Sequence, residues 1–380
     1  MRGRLRVVKA TRQRLPDGPL AIMLSGCRWT SSGGAQRPVA LAREFARRGY
    51  GVIYYNAAHI GCSLDDNIML IDRARMRRLL PHIAEQRSGF VVNGLPTETY
   101  HGMAQTLQRS GYTYVYDCID DWPAFYARGD LREYCPRLEK RIARQCDVLT
   151  ASATVLQQRC ERDGRKQCVL IRNGGPAEPR YAANNGRALL TGAGGTAVYI
   201  GYLRGSWFDW PLVYSTARRM PGVAFNLIGN IPNREQQRIE RHHHNIHAHG
   251  ELAYDECMGL MAAADIGIVP FRDEAICTAV DPIKLYDHWS AGQPVAATAV
   301  MTEMAGRPHV HMCTPSQRRM TAAIRAALAR GRIPESEVRR LCVQNSWAMR
   351  AEQMLTEVDS ATSDSDWSGS SRHYTCEAAQ

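Results

Sequence analysis

The sequence predicts an α/β chain of two domains, each a parallel sheet covered by helices, with a cleft between them. Three observations predict it. Short β-rich runs alternate with amphipathic segments through the first half; the alternation stops at a Gly-, Pro-, Asn- and Ala-rich stretch around "NGGPAEPRYAANNGRALLTGAGG"; it then restarts and runs to a polar end. A sheet that needs crossover helices between successive strands gives this rhythm, and the stretch in the middle reads as a linker between two such units.

The strand-like runs of the first unit are "LAIMLSG", "YGVIYYN", "GFVVNG", "YTYVYDC" and "CDVLTAS", with "PVALAREFARRG" as the helix after the first of them. The second unit supplies "AVYIG", "VAFNLIG", "NIHAHG", "DIGIVPF" and "PVAAT", interleaved with "WPLVYSTARRM" and "AYDECMGLMAAA". The expected division is a basic N-terminal tail over 1–19, a first domain over 20–176, a linker over 177–196, a second domain with C-terminal helices over 197–356, and a disordered tail over 357–380. That last stretch, "TEVDSATSDSDWSGSSRHYTCEAAQ", is rich in Ser, Asp and Thr, which give a core little to bury.

Composition narrows the class. With 380 residues, 44% of them hydrophobic, the chain can fill two cores. A membrane span needs roughly eighteen uninterrupted apolar residues, and even "CMGLMAAADIGIVPF" is broken by Asp265. The opening "MRGRLRVVKATRQRLPDG" is basic but has no apolar core of the secretory kind. The twelve cysteines form no CxxC pair, and reduced thiols in a cytoplasmic protein are the expectation. Residues 1 to 180 carry 29 Lys and Arg against 17 Asp and Glu, a net +12; the remainder carries 19 against 20, a net −1. The basic half is expected either to face an anionic surface or simply to be solvated. "DRARMRRLLPHIAEQR" and "REYCPRLEKRIARQ" space apolar residues among the basic ones as an interfacial helix would, so peripheral contact with an anionic membrane on its cytoplasmic face is expected. Nucleic acid is not, because the arginines are not interleaved with aromatic recognition residues.

The stretch "DPIKLYDHWSAGQPVAAT" carries the most chemistry. Asp281 suits an N-cap, Pro282 suits the first helical position and Gly292 suits the stop, so a helix of about three turns is expected, followed by a strand. Lys284 sits in the first turn, where a cation opposes the helix dipole unless an anion is near. Asp287 follows three residues on, on the same face. Together with free N–H groups, an ammonium and a carboxylate suit a nucleoside diphosphate: the positive charge for the phosphates, the carboxylate for the ribose hydroxyls. A simple surface ion pair is the competing reading.

In "SSGGAQR" Gly33 and Gly34 follow a strand and precede a helix, where backbone can approach a phosphate or sugar. "YDCIDDW" ends a strand with Asp117, Asp120 and Asp121; one of them is expected to orient an acceptor hydroxyl or touch the donor sugar, and helix capping is the alternative for Asp120 or Asp121. In "YIGYLRGSW" Gly201 closes a strand and Arg204 offers a planar fork for phosphate oxygens; Gly229 in "LIGN" closes a neighbouring loop. "HHHNIHAHG" puts His247 and His249 on one face of a strand without further ligands nearby, so no metal site is expected.

The run "IVPFRDEAICTAVDPIKLYDHWSAGQPVAAT" resembles the nucleotide-sugar site of GT-B glycosyltransferases of the group 1 (family 4) type, particularly a subset that builds bacterial cell-surface polysaccharide. "WTSSGGAQRPVALAREFARRGYGVIYYN", "YDCIDDWPAF", "CDVLTASATVLQQR", "IRNGG" and "YIGYLRGSWFDWPLV" agree in order, so the resemblance covers roughly residues 20 to 300. It implies two Rossmann-like domains, a nucleotide-sugar donor as co-substrate with no other cofactor, a saccharide or lipid-linked acceptor, and transfer with retention. It also implies that Asp287 takes the ribose-binding position of the family's second glutamate and that Lys284 and Arg204 meet the diphosphate. The family's EX7E motif puts its first glutamate at position 279, where this chain has Ala279, and leaves Glu274 and Asp281 as candidates for the donor-sugar contact. A sugar-nucleotide 2-epimerase on the same architecture and a non-catalytic binding protein are the rival expectations.

Overall fold

A computed structural model describes residues 6–7, 15–29, 36–86, 88–131, 133–180 and 191–370. The first sheet contains β1 (Arg6–Val7), β2 (Leu20–Leu24), β3 (Gly51–Tyr55), β4 (Cys62–Asp65), β5 (Ile68–Ile71), β6 (Gly89–Asn93), β7 (Thr113–Cys118), β8 (Val148–Ala151) and β9 (Val169–Leu170). Its order is β1-β4-β5-β3-β2-β6-β7-β8-β9. The stretch from β5 to β9 is parallel, and β4 and β1 extend the edge in antiparallel fashion. The second sheet is parallel throughout, with β10 (Thr196–Ile200), β11 (Ala224–Ile228), β12 (Ile246–Gly250), β13 (Ile266–Val269), β14 (Val295–Thr298) and β15 (Val310–Cys313) in the order β12-β11-β10-β13-β14-β15.

Both sheets are buried on both faces, which is why their strands read as continuous apolar runs rather than alternating ones. Along β2, Leu20, Ile22 and Leu24 enter one apolar cluster and Ala21 and Met23 the other. Along β10, Ala197 and Tyr199 face one cluster and Val198 its opposite. In each domain the chain leaves its central strand in both directions across the sheet, so the carboxyl ends of the central strands border a crevice.

Three expectations about extent are corrected. Arg6–Val7, within the expected tail, pairs with β4. The hairpin of β4 and β5 was not anticipated, because "CSLDDNIMLI" turns at Asp66 and Asn67, whose φ values of 42° and 64° put both in the left-handed region. The stretch from residue 357 is not irregular as far as Ser370: a helix runs over Trp347–Ser370 and belongs to the first domain, not the second, while residues 371–380 lie outside the described residues. Trp347, Ala351, Met354, Leu355 and Val358 join the cluster beneath β2 and β6, Arg48 donates to the Ala348 carbonyl at 2.7 Å, and the Thr113 and Thr362 hydroxyls meet at 3.0 Å. Its polar composition hides a helical stripe at 351, 354, 355, 358 and 361.

The two domains meet through polar contacts. The Asn173 backbone N–H and side-chain amide donate to the Asp281 carboxylate and carbonyl at 2.7 and 2.6 Å. Glu303 of the second domain pairs with Arg172 and accepts from the Thr154 N–H at 2.5 Å, at the start of the first-domain helix Thr154–Gly164. Arg128 reaches across to Glu274 at 3.0 Å.

Candidate nucleotide-sugar site

The site begins where β10 and β11 end side by side. Gly201 and Gly229 have φ of +145° and +139°, which L side chains rarely adopt. A Cβ on Gly229 would stand 1.8 Å from the Gly201 carbonyl oxygen, and one on Gly201 would stand 3.0 Å from the Lys284 ammonium. Two bare backbone turns therefore leave a cavity of about 400 Å³ whose walls include Gly201, Gly229, Asn230, Tyr254, Lys284 and Asp287. A second cavity of about 340 Å³ lies in the cleft between the domains and shares Lys284 as a wall.

Lys284 stands on the helix Ile283–Ser290, whose N-cap is Pro282. The helix is thus shorter than the expected three turns, and Asp281 does not cap it. Residue 281 lies one step too early, and its carboxylate is taken by the Asn173 N–H, the Tyr286 hydroxyl at 2.8 Å and Arg307 at 3.3 Å. It ties the domains together. Gly292 does follow the end of the helix with φ +72°.

The Lys284 ammonium donates to the Tyr199 hydroxyl at 3.0 Å and lies 4.4 and 4.7 Å from the ring centres of Tyr199 and Phe271. Burial lowers its pKa from 10.5 to about 7, since water is removed from the charged form and the nearby Cys277 and Asp287 restore little. The Asp287 carboxylate, 5% exposed, accepts from the Tyr254 hydroxyl at 2.6 Å. Burial raises its pKa to about 6, opposed by that hydrogen bond and by the charges of Arg180 and Lys284. Lys284 and Asp287 therefore each engage a phenol of their own, which does not fit a surface ion pair between them.

The three acids at the end of β7 separate. Asp117 is buried and gripped by the Arg37 guanidinium at 2.7 and 2.8 Å, with the Thr150 hydroxyl donating at 2.8 Å. Asp121 pairs with Arg159 at 2.6 Å. Asp120 lines the cleft cavity, and its pKa is raised to about 7, mainly by burial and further by the charge of Asp121. Of the three, Asp120 is the one whose carboxyl is presented to the cleft.

Other candidates fall elsewhere. Glu274 is held by Arg128 and by the Ser206 hydroxyl at 2.7 Å, beside the cleft but already engaged. Arg204 is exposed, donates to Asn230, and stands at the rim rather than in the cavity wall. Gly33 and Gly34 lie outside the described residues. His249 bonds Asn226 at 2.8 Å, and among the described residues no three His, Cys, Asp or Glu side chains converge as metal ligands would. Ala279 is 1% exposed and belongs to the apolar cluster of the first domain, so the place of the motif's first glutamate is closed.

The sequence reading missed Tyr199, Tyr254, Phe271, Arg37 and Arg180. Tyr199 had a signal, two residues before Gly201 on the same strand; Tyr254 had none, since it meets Asp287 from a helix 33 residues away.

The expected interfacial helices turn their apolar stripes inward. Met76 and Ile83 of the helix Arg73–Gln86, and Leu138 and Ile142 of Pro136–Gln145, are buried in the first-domain core. Insertion of these faces into a bilayer is thereby contradicted; what they expose is charge, including Arg73, Arg77, Arg78, Lys140 and Arg141. No described helix is long and apolar enough to cross a membrane.

No family model matches the chain. Over 218 residues it is 27% identical to TuaH of Bacillus subtilis (strain 168), which carries the name of a teichuronic acid biosynthesis glycosyltransferase; the match spans 52% of this chain and 53% of that protein, so the chain spans about half the length of that relative. Among solved structures it is similar to a glycosyltransferase from Rickettsia africae, with a TM-score of 0.64 and 11% identity over 91% of this chain and 99% of that one. AviGT4, a glycosyltransferase involved in avilamycin A biosynthesis, matches with a TM-score of 0.62 and 14% identity over 90% and 98%. HepE of Anabaena, solved with UDP and glucose, matches with a TM-score of 0.57 and 14% identity over 90% and 99%.

Proposed function

We propose, from the GT-B fold that this chain has in common with those glycosyltransferases, that it moves a sugar from a nucleotide-sugar donor to a saccharide or lipid-linked acceptor. The observation that carries the reading is Lys284, a half-buried ammonium set between two cavities with a phenol as its hydrogen-bond partner. A cation so placed costs stability until an anion arrives. A diphosphate at Lys284 and at the N-terminus of the helix Ile283–Ser290 supplies it, with the nucleoside in the cavity of Gly201, Gly229 and Asp287 and the sugar in the cleft.

In the reaction the acceptor hydroxyl oxygen bonds to the anomeric carbon and gives up its proton as the bond from that carbon to the diphosphate oxygen breaks, and negative charge grows on the departing phosphate. Lys284 and the helix N–H groups meet that charge without reorganising. Asp120, whose pKa of about 7 matches a group that accepts a proton near neutrality, faces the cleft where the acceptor hydroxyl arrives. Retention and a role in surface polysaccharide assembly are what the family resemblance implies, and independence from divalent metal is what a diphosphate met by Lys284 and the helix N–H groups implies.

The test is turnover of a panel of nucleotide sugars with saccharide and lipid-linked acceptors, run with and without EDTA. Sugar transfer with release of nucleoside diphosphate is expected, at the same rate in chelator. Isomerised donor would mean an epimerase, and donor binding without turnover would mean a binding protein, the reading that the closed position of Ala279 favours. Lys284→Ala is expected to weaken diphosphate binding about ten- to a hundredfold while nucleoside binding hardly changes, because a charge-assisted hydrogen bond is worth about 1.5–3 kcal/mol. Unchanged diphosphate affinity in a folded variant would sink the assignment.

A further inference from the structure

We infer that Arg128 is a positioning residue for the transfer: it reaches across the cleft from the first domain, holds two loops of the second, and so sets how far Asp120 stands from Lys284. The inference rests on the glycosyltransferase reading above. Arg128 is the C-cap of the short helix Trp122–Ala127, which begins just after Asp120 and lends Phe125 to the wall of the cleft cavity. Opposite stand the loop after β10, with Ser206 and Trp207, and the loop after β13, with Glu274. β10 and β13 are neighbours in their sheet, and the two loops are joined by backbone: the Arg272 N–H donates to the Trp207 carbonyl at 2.7 Å, and Phe208 bridges Phe271. A hold on either loop is therefore a hold on both.

The Arg128 guanidinium is aimed at that pair of loops. Its Nε donates to Asp130 of its own domain at 3.0 Å, while Nη1 donates to the Ser206 hydroxyl at 2.6 Å and to the Glu274 carboxylate at 3.0 Å. Ser206 donates in turn to the same Glu274 oxygen at 2.7 Å, and the guanidinium carbon lies 5.2 Å from the centre of the Trp207 ring. One cation thus ties three groups of the other domain. The contacts of Asn173 with Asp281 and of Arg172 with Glu303 gather instead where the chain leaves the first domain. The cleft cavity has Asn173 and Asp281 among its walls and Phe125 and Trp207 as well, so it lies between that joint and Arg128. A joint on one side of a cavity leaves pivoting as the remaining freedom of two domains, and a contact on the other side restrains it. Transfer depends on that restraint, because Asp120 of one domain and Lys284 of the other must address one anomeric carbon together. The ion pair is 28% exposed at Arg128 and 27% at Glu274, so it can break to let substrate pass and still bias the arrangement.

The experiment compares the unaltered full chain with Arg128→Ala, Glu274→Ala and the double variant, each checked for folding by circular dichroism. Two quantities are measured: affinity for UDP, GDP and dTDP by calorimetric titration, and kcat with the most active donor of UDP-glucose, UDP-galactose, UDP-N-acetylglucosamine, GDP-mannose and dTDP-glucose, using the saccharide or lipid-linked acceptor that takes its sugar. Nucleoside diphosphate affinity, which draws on the second domain, is expected to be the same in all four proteins. At saturating donor kcat is expected to fall about ten- to a hundredfold in each single variant, the range that a misplacement of about 1 Å produces. The double variant is expected to be no slower than the singles, because both changes remove the same contact. An unchanged kcat in Arg128→Ala, a nucleoside diphosphate affinity that falls with it, or losses that multiply in the double variant overturns the inference while leaving the donor site standing. Absence of turnover by the unaltered chain overturns the inference and the glycosyltransferase reading together.

Discussion

At the scale of single residues, each of the two charged groups of the nucleotide site engages a phenol. Tyr254 donates to Asp287 and so favours its ionised form against a burial that raises the pKa to about 6. If Asp287 accepts the ribose hydroxyls as a carboxylate, nucleoside affinity is constant well above pH 6 and falls as the pH drops through that value. Tyr254→Phe removes the favourable hydrogen bond, so the midpoint of that fall moves to higher pH; titration of nucleoside between pH 5 and 8 checks it, and an unmoved midpoint would leave Tyr254 as a packing residue only. Lys284 has the opposite sign. Its ammonium is the form that binds diphosphate and its pKa is about 7, so its own contribution to diphosphate affinity is constant below pH 7 and only the Asp287 titration lowers affinity there. Above pH 7 it falls by about tenfold per unit, because the proton must be taken up on binding. A diphosphate affinity that is level from pH 7 to 9 would contradict that proton linkage.

At the scale of elements, the short helix Ala275–Thr278 and the turn after it decide what the EX7E resemblance is worth here. Its C-cap is Ala279, packed against the other domain. Restoring the motif by Ala279→Glu places a carboxylate among apolar side chains. We expect it to cost at least about 2 kcal/mol of stability without raising turnover; thermal denaturation and donor kinetics measure the two effects, and a stable, faster variant would show that the joint opens to admit the side chain. The strands and principal helices were readable because burial on both faces gives unbroken apolar runs and because capping residues mark helix ends locally. The helix Trp347–Ser370 was not, since its apolar stripe is dispersed among Ser, Thr and Asp and acquires meaning only against β2 and β6.

At the scale of the molecule, the basic first half and the joint between domains define how the protein meets its surroundings. The helices Arg73–Gln86 and Pro136–Gln145 bury their apolar stripes and expose arginine and lysine. Contact with an anionic surface would therefore be electrostatic rather than inserted, and such contact is screened by salt. Vesicles containing phosphatidylglycerol are expected to sediment the protein at low ionic strength and release it at high ionic strength, while neutral vesicles do neither. Equal recovery from the two kinds of vesicle at low salt would remove the membrane from the account.

The sequence by itself determined two parallel β/α units and put Lys284 and Asp287 on one helix face, because strand periodicity, turn glycines and helix spacing are written in neighbouring residues; that Gly201 and Gly229 border the same cavity was decided by the fold. It also picked out Asp120 as one of three acids. Only the tertiary structure decided which of the three faces the cleft, since Asp117 is claimed by Arg37, 80 residues away, and Asp121 by Arg159, 38 residues away. The same holds for Asp281, taken by Asn173 across the domain joint, for Glu274, taken by Arg128, and for Ala279, closed by the first-domain core. A side chain's chemistry is local, but whether it is free to act depends on partners that the fold brings from elsewhere in the chain, and no local pattern records them.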